Sequence, residues 1–293
     1  MKILVLGATG MLGQAIIREA ALRGIKALGA ARKNSDIILD VSDISGLAST
    51  LRGVKPDVVI NTVAEVNLAT CENNPGLAYT VNARPAAILA KLAQETGVYF
   101  IQISTDHYYT GDNPVQHKEE ERVQILNEYA RTKYAGEKFA LTCPTALVVR
   151  TNIVGFRGNQ LAPTFVEWII DTLNSHEEIT LFRDYYTSSI DVPCFVGILY
   201  DLLDLRPAGV INIASRECFS KKDFILKIAA ALGYSRFACR DGSVIESSVI
   251  PRANNLGLDI SKAEQLLQKS MPDLDQVVTG LLREATLRGK GMI

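Results

Sequence analysis

A tyrosine and a lysine four residues apart carry the clearest chemical signal in this sequence. Tyr129 and Lys133 stand in the segment YARTK, within residues 127–141, whose pattern predicts a long helix. Residues at positions i and i+4 share one face of a helix, so the phenol and the ammonium would be neighbours. An adjacent ammonium favours the phenolate and lowers the pKa of a tyrosine from about 10 towards neutrality. Tyr129 is therefore a candidate proton donor or acceptor, although an isolated YxxxK is also common by chance.

A hydroxyl at the end of a predicted strand is the second candidate. Thr105 follows the strand-like run 99–104, at the carboxyl end of a predicted parallel strand. Ligands bind at this edge of open α/β sheets, so catalytic groups are expected there. The alternative is a threonine that only caps a turn.

The chain opens with a glycine turn, in the segment MKILVLGATGMLG. A first glycine permits a tight turn after a strand, a second permits close approach of a pyrophosphate, and a third packs the following helix on the strand. The N-terminus of that helix then points at the phosphates. The spacing predicts a dinucleotide site made by Gly7, Thr9, Gly10, Met11, Leu12 and Gly13. An ordinary strand–helix turn that happens to contain glycines is the alternative.

The residues after the second predicted strand indicate which dinucleotide binds. Arg32 follows the strand 27–31, where an acid would hold a ribose 2′-hydroxyl, and no acid stands there. The planar guanidinium suits a 2′-phosphate. We therefore expect NADP(H) in preference to NAD(H), which could still bind. A solvated surface arginine is the alternative.

Two further segments are expected to border the cofactor. Asp40 and Val41 could hold the adenine edge, although Asp40 could equally be a turn residue. Val63 and Ala64 follow the apolar strand 58–61, and small residues there let a cofactor lie close to the backbone.

Composition limits the remaining classes of function. Lys plus Arg number 31 and Asp plus Glu 32, for a net charge of -1, so no basic excess favours nucleic acid. Five scattered cysteines without a CxxC pair argue for reduced thiols, and we expect a cytoplasmic protein. No apolar stretch is long enough to cross a bilayer, and no residues have metal-ligand spacing. Neither a membrane nor a metal is expected as a partner.

Strand and helix patterns alternate through the first half of the chain. They predict an α/β fold with a doubly wound parallel sheet (a Rossmann fold) and a smaller α/β substrate-binding C-terminal region. We expect an NADP-binding domain over 1–150, to which segments near 188–215 return, and a mainly substrate-binding region over 151–293. In detail, the pattern predicts one helix over 76–97 and a helix capped by Ser42.

These motifs, in this order, resemble the extended short-chain dehydrogenase/reductases. The resemblance rests on GATGMLG at the start, STD at 104–106 and YARTK at 129–133. The segments VNLATCENNPGLAYTVN, VVRTNIVG, GVINIASRECFSKKDF and PRANNLGLD are most similar to the RmlD-type dTDP-4-dehydrorhamnose reductase family. The family implies a reductase of the 4-keto group of a nucleotide-linked 6-deoxy sugar, with a nucleotide-diphosphate sugar as its substrate. A homodimer is common for this type.

The resemblance also implies roles for the catalytic residues. Tyr129 would protonate the C4 oxygen as hydride arrives from the nicotinamide, and Thr105 would hydrogen-bond the carbonyl. Lys133 would bind the nicotinamide ribose and depress the pKa of the tyrosine. Asn82 matches an asparagine that helps to support the lysine, and Asn152 would cover the nicotinamide.

The family implies that the substrate meets Asp106, His107, Tyr129 and Arg252. The chain departs from the family here, because it has STDHYYTG where STDYVFDG is frequent, so His107 alters the floor of the substrate site or only its packing. Two alternatives remain. One is a nucleotide-sugar epimerase or dehydratase of the same fold, and the other is a non-catalytic NADP-binding regulatory subunit.

Overall fold

The computed structural model describes residues 1–159 and 162–288. Its strands are β1 Lys2–Leu6, β2 Lys26–Ala31, β3 Ile37–Ile38, β4 Val58–Asn61, β5 Tyr99–Ile103, β6 Leu147–Arg150, β7 Ile153–Val154, β8 Ile179–Phe182, β9 Tyr186–Thr187, β10 Ile190–Asp191, β11 Gly209–Asn212, β12 Phe219–Ser220, β13 Cys239–Gly242 and β14 Asn255–Leu256. Its helices are α1 Met11–Leu22, α2 Ile44–Val54, α3 Leu68–Asn73, α4 Pro75–Asn82, α5 Arg84–Thr96, α6 Glu128–Ala140, α7 Phe165–Asn174, α8 Val192–Leu205, α9 Lys221–Ala231, α10 Val244–Ser247, α11 Ser261–Leu267 and α12 Leu274–Leu287.

A seven-stranded sheet with helices around it forms a Rossmann fold, as the sequence predicts. The strand order is β11-β6-β5-β4-β1-β2-β3, and the pairs from β3 to β6 are parallel. Strands β1 and β4 are neighbours, and the order of the chain reverses between them. In open α/β sheets a ligand binds at such a switch point, beyond the carboxyl ends of the strands.

The chain divides into two compact units, which we call unit 1 and unit 2. Unit 1 comprises Met1–Thr105, Ile125–Arg150 and Val196–Ile211. Unit 2 comprises Asp106–Gln124, Thr151–Phe195 and Asn212–Ile293, of which the structure describes all but 160–161 and 289–293. The expected division at residue 150 therefore left out one segment. Residues Asp106–Gln124, after β5, belong to unit 2, and the chain then returns to unit 1 for α6.

The core of unit 1 lies between the sheet and its helices. The strands β1, β4 and β5 are buried almost throughout, which explains their continuous apolar sequence. Leu47 and Leu51 of α2 and Leu89 of α5 pack into the same cluster. The sheet is therefore covered by amphipathic helices that supply the other side of the core.

Two local predictions in unit 1 need correction. The segment 76–97 is two helices and not one, because the chain breaks at Ala83 and restarts with Pro85 in the first turn of α5. A proline inside a continuous helix would remove one backbone hydrogen bond and clash with the preceding turn. The cap of α2 is Asp43, whose carboxylate accepts a hydrogen bond from the amide of Gly46, and not Ser42.

Unit 2 has short strands and a helical core. Its small sheets pair β7 with β10, β8 with β13, and β9 with both β12 and β14. Val166 of α7, Phe224 and Ile228 of α9 and Leu281 of α12 belong to one buried cluster. Among the described residues, no helix is long and apolar enough to cross a membrane.

Candidate functional site

The predicted residues divide between the two units. Unit 1 carries the glycine turn, Arg32, Asp40, Val41, Val63, Ala64, Thr105, Tyr129 and Lys133. Unit 2 carries Asp106, His107, Asn152 and Arg252.

The glycine turn has the conformation that its sequence requires. Gly7 has φ +83°, a left-handed conformation that side chains rarely adopt, and its amide donates to the carbonyl of Ala30 on β2 at 2.9 Å. A Cβ at Gly7 would stand 2.6 Å from Oγ1 of Thr62. At Gly13 a Cβ would collide with the carbonyl oxygen of Gly7 and would stand 2.7 Å from Cα of Ala8. The turn therefore folds tightly only with glycine at both positions.

The start of α1 suits an anion. Its N-cap, Gly10, has no side chain, and among the described residues no side-chain hydrogen bond caps this helix. The first-turn amides of Met11 and Leu12 are thus left to a ligand or water. Thr9 and Gly10 are exposed on the turn. A pyrophosphate fits this donor set, because the helix N-terminus carries a partial positive charge.

The carboxyl end of β4 supports the same turn. The hydroxyl of Thr62 donates to the carbonyl of Leu6 at 2.7 Å and fixes the switch point between β1 and β4. Asn61 is buried and donates to the side chain of Gln102 on β5 at 2.8 Å. Val63 and Ala64 follow directly and are half-buried. They lie at the edge of the sheet where the cofactor was predicted.

Arg32 and Asp40 interact with each other electrostatically. Arg32 is exposed after β2. The amide and hydroxyl of Ser42, and after them the charge of Arg32, hold the pKa of the Asp40 carboxyl below its ordinary value. The amide of Ser42 donates to Asp40 at 2.9 Å, so Asp40 fills the role of a turn residue. Val41, next to it, is buried.

Tyr129 is on the first turn of α6, which Asn127 caps through the amide of Ala130. The phenol is buried and packs with Cys71 of α3 and Ala78 of α4. Burial, together with nearby carboxylates, raises the pKa of the Cys71 thiol to about 11. The thiol beside the tyrosine is therefore neutral at physiological pH.

Lys133 is buried one helical turn after Tyr129, with 3% of its surface exposed. Its Nζ donates to the carbonyl of Ile103 on β5 at 2.8 Å. Burial lowers the pKa of Lys133 to about 8, and the charge of Glu137 opposes that change. Thr105, at the end of β5, is buried too, with 4% exposed. Unit 1 therefore holds a phenol and an ammonium on one helix, and a threonine two residues after the carbonyl that binds the ammonium.

Asn82 supports the helix without contacting the ammonium group of Lys133 in the hydrogen bonds described. Its Nδ2 donates to Oγ1 of Thr132 at 3.0 Å, and its Oδ1 accepts from the amide of Glu65 at 2.7 Å. A Cβ on Gly136 would stand 2.5 Å from the carbonyl oxygen of Asn82. The side chain thus connects the loop after β4 with α6, which passes closely because of the glycine.

In unit 2, Asp106 lies at one end of a chain of hydrogen-bonded side chains. Its Oδ2 accepts from Nδ2 of Asn152 at 2.7 Å, and Oδ1 of Asn152 accepts from the hydroxyl of Ser189 at 2.9 Å. Ser189 in turn is 2.9 Å from Oγ1 of Thr187. Asn152 therefore positions Asp106 in this structure. The family resemblance implies only that Asn152 would cover the nicotinamide.

Lys221 belongs to the same cluster and was missed by sequence reasoning. It is the first residue of α9, after the cap Ser220, and 8% of it is exposed. Its Nζ lies 4.6 Å from the ring centre of Phe165 and 5.7 Å from that of Phe224. Burial lowers the pKa of Lys221, and the charge of Asp106 opposes that change. A lysine at a helix start usually indicates a solvated residue, so the sequence contained no signal for this one.

His107 and Arg252 complete the cluster. Burial, and then the charges of Lys221 and Arg252, lower the pKa of His107 to about 4, so its imidazole is neutral at physiological pH. Among the described residues, Nε of Arg252 is buried and has no hydrogen-bond partner. Arg252 also lines a cavity of about 400 Å³ with Phe182 and Tyr185. Its free donor and its charge suit an anionic ligand.

Comparison with known proteins decides the family. The sequence model described as the RmlD substrate binding domain matches residues 1–286. This protein belongs to the RmlD family. Its relatives include dTDP-4-dehydrorhamnose reductases, which are NAD(P)-dependent oxidoreductases of the extended short-chain type.

Individual relatives of this RmlD-family protein include reductases. It is 28% identical to a probable low-salt glycan biosynthesis reductase of Haloferax volcanii, over 96% of this chain and 97% of the relative. It is 35% identical to the dTDP-4-dehydrorhamnose reductase of Salmonella typhimurium, but over only 64% of this chain and 61% of that enzyme. A dTDP-4-dehydrorhamnose reductase of Bacillus anthracis, solved in complex with NADP, shares the fold with a TM-score of 0.87 and 24% identity, over 97% of this chain and 99% of that one.

Proposed function

We propose that this protein reduces the 4-keto group of a nucleotide-linked 6-deoxy sugar with NADPH. The observation that carries the proposal is the buried ammonium of Lys133, one helical turn from the buried phenol of Tyr129 and bonded to the end of the strand that leads to Thr105. The reductases among its relatives support the choice of reaction.

NADPH fits the residues of unit 1. The uncapped start of α1, beyond a turn that only glycine can form, would bind its pyrophosphate. Arg32, exposed after β2, would bind the 2′-phosphate, with Asp40 and Val41 near the adenine. Val63 and Ala64 would border the bound dinucleotide. When bound, NADPH supplies the hydride.

The chemical role of each catalytic side chain follows from its surroundings. Tyr129 donates its proton to the substrate oxygen, which becomes negative as hydride adds to the carbon. Lys133 lowers the free energy of the phenolate that remains, because its ammonium is buried where charges interact strongly. Thr105 donates a second hydrogen bond to the same oxygen.

Unit 2 would bind the substrate. Arg252, with a buried and unpartnered donor, would bind a phosphate of the nucleotide diphosphate. Asp106 and the neutral His107 would contact the sugar. Lys221 adds a second cation to this cluster, so the bound ligand is expected to be negatively charged.

The test is NADPH oxidation, followed by absorbance, with a panel of 4-keto nucleotide sugars. We expect turnover with at least one 4-keto-6-deoxy sugar, and a loss of at least about a thousandfold in Tyr129→Phe with NADP binding retained. Near wild-type turnover in Tyr129→Phe would remove that residue from the reaction.

The other two functions give different results in the same assay. An epimerase or dehydratase would convert a nucleotide sugar without net consumption of NADPH. Its cofactor would be expected to be NAD, and a dehydratase would need an acid where this chain has His107. A regulatory subunit would bind NADP tightly and turn over no sugar in the panel, which would overturn the proposal.

A further inference from the structure

We propose that Glu137 is a positioning residue that keeps Lys133 protonated while Tyr129 transfers its proton. The inference rests on the proposed function only for its kinetic consequence. The charge of Lys133 itself can be measured without any substrate.

The carboxylate of Glu137 is held rigidly inside unit 1. The side chain is fully buried. Its Oε1 accepts from the hydroxyl of Ser104 at 2.6 Å, and Arg150 donates to it through Nε at 3.0 Å and Nη2 at 2.9 Å. A carboxylate with three such donors is strongly favoured in its ionised form.

Glu137 lies four residues after Lys133 on α6, so the two side chains share a face of the helix. The buried ammonium has one hydrogen bond described to a neutral acceptor, the carbonyl of Ile103. Burial acts against its charge, and Glu137 is the charged group that acts in its favour. Loss of the carboxylate would therefore lower the pKa of Lys133.

Among the described residues, the other elements packed against α6 supply no second anion that raises the pKa of Lys133. From β6, the charge of Arg150 faces the carboxylate of Glu137. From α3, Cys71 packs against Tyr129. The carboxylate of Glu72 accepts a hydrogen bond from the amide of Glu128 at the start of α6. The buried residues of α4 are Ala78 and Asn82, and those of α5 are all apolar, so the buried face of neither helix carries a charge.

A purely structural role makes a different prediction. The ion pair of Glu137 with Arg150 joins α6 to β6, and breaking it would lower stability and activity at every pH. An electrostatic role instead gives a loss that depends on pH. A neutral Lys133 no longer stabilises the phenolate of Tyr129, so the loss appears only where the variant lysine has lost its proton.

The first measurement is the pKa of Lys133 by NMR of the labelled side-chain nitrogen, with the signal assigned by its absence in Lys133→Met. In Glu137→Gln we expect the pKa of Lys133 to fall by about one pH unit or more from its wild-type value. In the double variant Glu137→Gln/Arg150→Met the fall should be smaller, because no unpaired arginine remains to repel the ammonium. An unchanged pKa in both variants would overturn the proposal.

Ser104→Ala is the matched control. It removes one hydrogen bond to Glu137 and leaves the negative charge in place. Its Lys133 pKa should stay within a few tenths of a unit of wild type. A fall as large as that in Glu137→Gln would assign the effect to packing and reject the electrostatic role.

The pH dependence of kcat is the second readout. We expect Glu137→Gln to reduce substrate at close to the wild-type rate near pH 6 and to lose about fivefold or more near pH 8. An equal loss at both values would support a structural role. If wild type reduces no nucleotide sugar, the proposed function fails while the NMR titration still decides the role of Glu137.

Discussion

Two buried lysines, one in each unit, show two ways of holding a positive charge away from water. Burial lowers the pKa of both, and each has one carboxylate that opposes the change. The carboxylate near Lys133 is Glu137, fixed by Ser104 and Arg150 within regular secondary structure. The carboxylate near Lys221 is Asp106, in the loop after β5.

The difference lies in what else each partner is free to do. Glu137 is fully bonded to protein groups, so the charge on Lys133 stays constant through a reaction. The cation of Lys221 faces aromatic rings, which bind cations weakly and offer no lone pairs. A ligand anion would therefore stabilise the ammonium of Lys221 strongly. It would stabilise the ammonium of Lys133 little, because Glu137 already does so. On this comparison we propose that Lys133 acts in the chemical step and that Lys221 acts in ligand binding.

The largest expected effects separate these two roles kinetically. Lys133→Met should lower kcat by about a hundredfold or more, because the phenolate of Tyr129 loses its cation. Lys221→Met should raise KM for the sugar substrate by about tenfold and change kcat little, because an interaction of the bound ligand is lost. Initial rates over a substrate range measure both. A dominant kcat effect in Lys221→Met would abolish the distinction.

Stability offers a second comparison. The pKa of Lys133 falls from 10.5 to about 8 on folding, so its charged form destabilises the fold below pH 8, and wild-type stability should rise between pH 8 and 10.5. Lys133→Met should raise the free energy of unfolding at pH 7 by up to about 3 kcal/mol, less the bond to Ile103. Lys221→Met should raise the free energy of unfolding by less, because Asp106 then stays buried without its cation.

Urea unfolding at pH 7 and pH 10 checks this prediction. From pH 7 to pH 10 the free energy of unfolding should rise more in wild type than in Lys133→Met, because the variant lacks the titrating group. A variant that is destabilised at pH 7 by the loss of Lys133 would show that its hydrogen bond outweighs the penalty of burying its charge.

The smallest effect is expected at Arg32, an exposed cation that contrasts with both lysines. Arg32→Ala should weaken NADPH binding by about tenfold and NADH binding much less, because only NADPH carries the 2′-phosphate. Dissociation constants from the quenching of protein fluorescence would measure both, with Lys33→Ala as a neighbouring control. Equal losses for the two dinucleotides would defeat the 2′-phosphate assignment.

The features that sequence predicted depend on spacing along the chain. The glycine turn and the pair of Tyr129 and Lys133 are local patterns, whose geometry a strand–turn–helix and a helix dictate. The break at Ala83 was missed, although Pro85 was a local signal for it, since a proline inside a helix removes a backbone hydrogen bond. Sequence motifs thus predicted the fold, which the structure confirms, and they predicted a catalytic set in unit 1.

The missed residues owe their roles to distant partners. Lys221 is buried because Phe165 and Phe224 cover it, and nothing near it in sequence indicates those rings. Glu137 follows Lys133 by four residues, a spacing typical of an ion pair on a helix surface. In the structure Arg150 and Ser104 bind its carboxylate in the interior instead. Burial of a charge is a tertiary property, so charged residues in unremarkable positions were the hardest to predict.

The division of the chain into units has a consequence for how the protein is made. Tyr200 of α8 donates to the carbonyl of Ile16, and β11 completes the sheet next to β6, so unit 1 includes residues synthesised long after its glycine turn. A ribosome-bound chain that ends at residue 150 lacks an edge strand and a helix of this unit. The dinucleotide-binding unit should thus acquire its full stability only after residue 211 has left the ribosome, when much of unit 2 has already been synthesised.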